Sequence, residues 1–301
     1  MKTTHVRIIL LVSCLIVCFA SCRKSAVNYD AAGTFEAVEV IVSSESSGKI
    51  LFFDVDEGRE VKSGELLGYT DTTQLFLKKL QLQSSAKAVL NRKSDVGKQV
   101  AALQQQIATA KVEKKRIENL LKANAANTKQ LDDINAQITT LEKQLDAQKS
   151  MLENANSSIS EESSAMGIQI AQLNDQLKKC YITTPINGTI LVKYSEQGEL
   201  AIPGKALFKV ADVSNMILRA YVTSGQLTKL KIGQQVKVGA DFGEDGIREY
   251  KGTISWISSK SEFTPKTIQT QDERANLVYA VKIKVKNDGY LKIGMYGEVN
   301  F

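Results

Sequence analysis

The sequence predicts an elongated α+β protein: a β-sandwich split into two halves, a long antiparallel α-helical coiled-coil hairpin inserted between them, and a β-barrel after them. Three observations carry this. The stretch GKILFFDVDEGREVKSGELL (Gly48–Leu67) returns without a gap as GTILVKYSEQGELAIPGKAL (Gly188–Leu207), at an offset of 140 residues. Between the copies, Gln74–Lys179 holds no proline, only Gly97 and Gly167 as glycines, and only Phe76 as an aromatic residue. Beyond them, strand-like runs alternate with glycine-rich turns as far as Phe301.

At the N-terminus, Lys2 and Arg7 accompany the apolar run Ile8–Ala20, shorter than the roughly 20 residues a membrane-spanning helix needs. The run ends in FASC. Small residues before a cysteine resemble a bacterial lipobox, with Phe19 an unusual residue three before Cys22. Residues 1–21 are expected to be a lipoprotein signal peptide and Cys22 the lipidated first residue of the mature chain; an uncleaved anchor or ordinary secretion are the alternatives. Cleavage would remove Cys14, Cys18 and His5, the sole histidine, leaving Cys180 as the one free thiol. A mature chain without histidine excludes Ser-His-Asp and Cys-His nucleophilic chemistry and the usual histidine-containing zinc sites. Loss of Lys2 and Arg7 takes the formal charge from +6 to +4, too weak and scattered for a nucleic-acid binder.

The repeated halves read as short strands punctuated by glycine, which supplies the positive φ of tight hairpins. Gly48, Ile50, Leu51, Gly58, Gly64 and Leu67 fall on Gly188, Ile190, Leu191, Gly198, Gly204 and Leu207, and Val42 falls on Ile182. In the insertion, Val96, Val100, Leu103, Ile107, Ala110, Ile117 and Leu121 recur in steps of three and four, skipping Lys114. Leu131, Ile134, Ile138, Leu141, Leu145, Leu152, Ala155 and Ile159 do the same, with Gln148 as the polar interruption. These are coiled-coil seams. The stretch KANAANTKQ between them marks the turn, with Thr128 expected to cap the returning helix and Asp132 and Asp133 to favour its first turns. Arms of about 50 residues reach about 75 Å at 1.5 Å per residue. Mirrored through the turn, Gly167 falls opposite Ser84 and Ser85; either small residues permit close approach there, or these are weak spots in an exposed coil.

A duplicated glycine pattern flanking a coiled-coil hairpin resembles the split biotinyl/lipoyl domain of periplasmic adaptor proteins, the membrane fusion proteins of the HlyD type. Carrier domains of that fold bear a lysine within Met-Lys-Met or Asp-Lys-Ala at the tip joining the halves. Neither tripeptide occurs here, and the hairpin occupies the tip, so no lysine-bound cofactor is expected. LTKLKIGQQVKV and LKIGMYGEVNF are similar to barrel segments of these adaptors, and FTPKTIQTQDERANLVYAVKI to a stretch of the subgroup serving ABC-type exporters. The expected organisation is signal peptide 1–21, lipid-anchored linker 22–37, lipoyl-like halves 38–73 and 180–212, hairpin 74–179 and β-barrel 213–301. The resemblance implies a non-enzymatic adaptor in the periplasm, held by lipid to the inner membrane of a Gram-negative bacterium. Its implied partners are an ABC-type inner-membrane transporter, a TolC-like outer-membrane channel and further copies of itself, as a hexamer. The short C-terminus disfavours an adaptor of resistance-nodulation-division (RND) pumps, and a coiled-coil regulator of cell-wall hydrolases would leave the duplication unexplained.

No residues read as catalytic. Asp54, Asp56, Glu57 and Glu60 lack an Asp-x-Asp-x-Asp-Gly loop and read as solvated charge rather than a metal site. The family docks its channel through an arginine, a leucine four residues on, and a serine or threonine seven further. Arg116 and Leu120 fit the first spacing; position 127 is asparagine and the hydroxyl comes one residue late, at Thr128. Either Leu121 and Thr128 form the working pair with Arg116 displaced, or the tip meets a different partner; alternatively, Leu120 and Leu121 are seam residues and Thr128 a cap.

Overall fold

The computed structural model describes residues 29–243, 246–263 and 277–301. The expected signal peptide and Cys22 lie outside the described residues, as do residues 264–276 of the stretch resembling the ABC-exporter subgroup.

The duplication becomes a pseudo-twofold. The first half holds β1 (Ala31–Ser43), β2 (Gly48–Phe53), β3 (Glu60–Val61) and β4 (Leu66–Thr70); the second holds β5 (Tyr181–Thr183), β6 (Gly188–Lys193), β7 (Leu200–Ala201) and β8 (Ala206–Thr223). Each half completes the other. β2 pairs with β7 through Gly48↔Ala201, and β6 with β3 through Gly188↔Val61. β1 pairs with β8 through Val42↔Phe208, and β5 with β4 through Ile182↔Gly68. Turn bonds obey the same exchange: the Gly58 N–H donates to the Ile190 carbonyl and the Gly198 N–H to that of Ile50, each at 2.8 Å. The Gly64 and Gly204 N–H groups donate at 2.8 Å to Thr184 and Ser44. All four glycines have φ between 81° and 95°, a conformation that strains any side chain. Ile50, Leu67, Ile190 and Leu207 are fully buried between the halves. The symmetry fails at Gly68 and Phe208. A Cβ on Gly68 would lie 2.6 Å from the Phe52 carbonyl oxygen, whereas Phe208 fills the core beside Phe53, ring centroids 6.4 Å apart.

The hairpin differs from the sequence expectation in one arm. The return is one helix, α3 (Thr128–Lys179), about 78 Å long at 1.5 Å per residue. The outward arm is two helices, α1 (Thr73–Leu90) and α2 (Val96–Lys122), separated at Asn91–Asp95. Asn, Ser and Asp compete for backbone hydrogen bonds and favour helix ends over interiors; Asp95 caps α2 by accepting from the Lys98 N–H at 3.2 Å. Opposite the break, Asn156 donates from its side chain to the Ser94 carbonyl at 2.8 Å and accepts from the Ser94 N–H at 2.9 Å. The seam of α3 therefore runs through half-buried Asn156 and leaves Ala155 exposed, correcting the expected register. The inward positions Gln148, Leu152, Asn156 and Ile159 follow a four-four-three spacing, a stutter that locally unwinds a coiled coil. Gly167 faces open space, with nothing within 4 Å of a built Cβ, so the close-approach reading fails there. Replacing Asn156 by alanine is expected to leave Ser94 without this partner, at about 1–2 kcal/mol. Amide exchange at Ser94 should accelerate by roughly tenfold, read by hydrogen exchange.

β1 and β8 continue past the sandwich into the barrel. Their register shifts between Glu36↔Ile217 and Val38↔Asp212, and strand pairing then follows the order β1–β12–β9–β10–β11–β8, closed by β1–β8. The added elements are α4 (Ser224–Leu227), β9 (Gln235–Asp241), β10 (Ile247–Phe263), β11 (Leu277–Lys286) and β12 (Tyr296–Asn300). Strand β1 thus begins at Ala31, inside the stretch 22–37 expected as a linker leading into a strand of the barrel or the lipoyl unit. Inward Phe35, Met216, Leu218, Val238, Ile254 and Ile283 fill the barrel. At its rim Asp288 pairs with Arg248 and accepts from the Tyr250 hydroxyl. The Asp288 carboxyl is held below its ordinary range, first by the Tyr290 N–H and further by Tyr250 and Arg248. A depressed folded-state value gives stability that is complete above the unfolded pKa, about 3.9, and is lost as pH falls through the folded value. Asp288→Asn is expected to lower the baseline and flatten this acid limb in pH-dependent unfolding.

Candidate docking site at the hairpin tip

The tip is built by two complementary helix ends. At the end of α2, Asn124 takes the left-handed conformation, with φ of 52°. The Ala125 N–H reaches back to the Leu120 carbonyl at 2.8 Å and the Asn124 N–H to that of Leu121 at 3.0 Å. This is a Schellman closure with asparagine in the position glycine usually fills. At the start of α3, Asn127 and not Thr128 is the cap. Its side chain accepts from the Lys129 N–H at 2.9 Å, while Gln130 accepts from the Asn127 N–H at 3.3 Å in a capping box. Asparagine is at least as good a cap as threonine, and the Asn-x-x-Gln spacing closes the box. Asp132 and Asp133 consequently fall beyond the first turn, which holds no acidic residue.

Arg116 and Leu120 lie one turn apart on α2 and line a groove of about 370 Å³ with Glu113, Gln130, Asp133 and Gln137. The Arg116 side chain is 73% exposed, tethered only loosely to Glu113 at 3.6 Å. Leu120 is 39% exposed. Leu121 is half-buried towards the seam, and Thr128 is exposed with its hydroxyl 3.4 Å from Asn127 Oδ1. The structure thus brings Arg116 and Leu120 to one groove and turns Leu121 away from it. Ile117, Leu131 and Leu141 pack around buried Ala110, Ile134 and Ile138 below. Cys180, the free cysteine of the described residues, is buried at the base, where its thiol contacts the Gln176 carbonyl.

No family profile matches the chain. It is 25% identical over 284 residues to a UPF0194 membrane protein of Acidithiobacillus ferridurans, covering 87% of this chain and 83% of that one. Among solved structures, MacA of Actinobacillus actinomycetemcomitans superposes with a TM-score of 0.53 at 23% identity, over 89% of this chain and 76% of MacA. A chimera of MacA carrying the α-hairpin of Pseudomonas aeruginosa MexA superposes with a TM-score of 0.51 at 25% identity, over 89% and 78% of the two chains. The chain has the fold of the periplasmic adaptors, the membrane fusion proteins.

Within that adaptor fold, sequence reasoning does not find Gln130, Asp133 and Gln137 as the α3 side of the groove, and reads Asp133 only as a helix-start residue. The Asn-x-x-Gln spacing was a usable signal for Gln130. Asp133 follows from it, three residues on and therefore on the same helical face. Arg59 binds Asp54 at 2.6 Å and Glu65 at 2.8 Å, and Glu57 accepts from the Lys193 N–H at 3.1 Å. Two carboxylates of the acidic turn, Asp54 and Glu57, thus bond to Arg59 and to the Lys193 backbone of the other half.

Proposed function

We propose that this protein is the lipid-anchored periplasmic adaptor of a multicomponent export pump, joining an inner-membrane transporter of the ABC type to a TolC-like outer-membrane channel. The observation that carries this reading is a hairpin of about 78 Å projecting from a twofold-split lipoyl-like unit whose other end is a closed barrel. Such a molecule reaches and assembles; its work is done by contact. Lipid on Cys22 holds the barrel end at the inner membrane, lipoyl-like units of six copies pack side by side, and the tip groove around Arg116 and Leu120 meets the channel.

In-cell photocrosslinking from Ser224, exposed at the start of α4, tests the motor. Capture of an ABC permease is the expected result. Capture of an RND pump would keep the adaptor and replace its motor, while capture of a cell-wall hydrolase or its membrane regulator alone would refute the reading.

A further inference from the structure

The outer wall of the barrel is asymmetric in charge. Along β11, Val281, Ile283 and Val285 point inward, and Lys282, Lys284 and Lys286 alternate with them on the outside. On the neighbouring strands Lys251 stands directly opposite Lys237, and Trp256, 41% exposed, stands opposite Lys282, whose ammonium lies 5.5 Å from its ring. Like charges directly opposite in a sheet are destabilising. Of these five lysines, Lys237 has an ion pair among the described residues, to Glu249 at 3.8 Å, and Lys251, Lys282, Lys284 and Lys286 have none there. The other acidic groups on these strands are Asp241 and, at the far end of β10, Glu262, which is bound with Glu36 by Arg219 opposite Lys282. A fold that tolerates this repulsion around an exposed tryptophan has the charge complement of an anionic surface.

The first described residue lies at the edge of this wall, beside Glu249 and Glu298. Tyr29 lies over Gly239, where a Cβ would stand 3.0 Å from its hydroxyl, two residues along β9 from Lys237. The stretch from Cys22 to Tyr29 reaches at most about 25 Å fully extended, so a lipid on Cys22 keeps this wall close to the bilayer.

We propose that the outer face of β10–β11, centred on Trp256 and Lys251, Lys282, Lys284 and Lys286, seats on anionic phospholipid headgroups. This rests on the reading that the N-terminal end is held at a membrane. Tryptophan partitions into the headgroup layer, and lysines extend their ammonium groups to the phosphates around it. The lipid anchor then fixes distance, and the basic wall fixes orientation.

Trp256 is the single tryptophan of the chain, so its fluorescence reports this face alone. Full-length protein is bound to vesicles of phosphatidylcholine, or of equal parts phosphatidylcholine and phosphatidylglycerol, with brominated acyl chains as quencher. Blue-shifted, quenched emission on the anionic vesicles only, reversed by high salt, is the expected result. Lys284→Gln with Lys286→Gln should lower the docked-to-undocked ratio by about 25-fold, at about fivefold per lysine, with an unchanged urea midpoint as the folding control. Equal emission on both vesicles, or no effect of the double variant, would overturn the proposal. So would shielding of Trp256 that appears only when the inner-membrane transporter is added, which would identify an acidic protein surface as the occupant. Flotation with neutral vesicles and the mass of the N-terminal peptide report the anchor separately, so failure of one reading is distinguishable from failure of the other.

Discussion

Gly188→Ala is expected to prevent the lipoyl-like unit from folding, whereas Gly48→Ala, its counterpart in the first half, should be nearly silent. A Cβ on Gly188 would stand 2.2 Å from the Ala211 carbonyl oxygen and 2.7 Å from its carbon. Both are backbone atoms of the paired strand β8, so no side-chain rotation relieves the overlap. Separating β6 from β8 would break the Thr189↔Ala211 and Ile190↔Val210 pairs and disturb fully buried Ile190. The cost should be at least about 3 kcal/mol, the upper range for overpacking. A Cβ on Gly48 meets its nearest atom, the Asp71 carbonyl oxygen, at 3.4 Å, an ordinary contact, and the change should fall within about 1 kcal/mol. Urea unfolding of the two variants checks this. Equal effects would mean that the close approach of β6 to β8 is not a property of the folded protein.

The second large effect is functional. Leu120→Asp combined with Arg116→Ala is expected to weaken channel engagement by about thirtyfold or more, the cost of losing an interface anchor worth about 2 kcal/mol, and to abolish export in cells. Neither side chain supports the coil: Arg116 is 73% exposed and Leu120 lies outside the seam. The helical content and unfolding midpoint should therefore remain those of the parent. Thr128→Ala should have a smaller effect, because the cap belongs to Asn127. Crosslinking from position 120 to the outer-membrane channel, with and without the double change, is the direct measurement. Unaltered crosslinking and export would remove the groove from the docking surface.

Much of this architecture is legible in the sequence. Gly58, Gly64, Gly198 and Gly204 announce their turns because positive φ selects glycine strongly, and an ungapped repeat preserves spacing as well as composition. The 3–4 spacing of Val100, Ile107 and Ala110 against Ile134 and Ile138 likewise finds the seam, since only inward positions must be apolar. The break at Asn91–Asp95 was harder to see. Its register is held by polar bonds between Ser94 and Asn156, and a search for apolar positions passes over an asparagine turned inward. The cap at Thr128 fails for the same reason: a search for a hydroxyl passes over the Asn127 amide, which closes the box with Gln130. The barrel lysines carry no signal in sequence: Lys282, Lys284 and Lys286 fit ordinary strand alternation, and only strand pairing sets Lys251 opposite Lys237.

Strands β1 and β8 run uninterrupted from the sandwich into the barrel, paired with each other in both. Tilting the hairpin bends a two-stranded ribbon whose far end is a stave of the barrel wall. Such a ribbon would bend most easily where its pairing slips, between Glu36 and Val38, where it jumps from Ile217 to Asp212, and between Val42 and Ser43. Strain applied at the far end of the rod would be taken up first at these slips, ahead of the barrel wall.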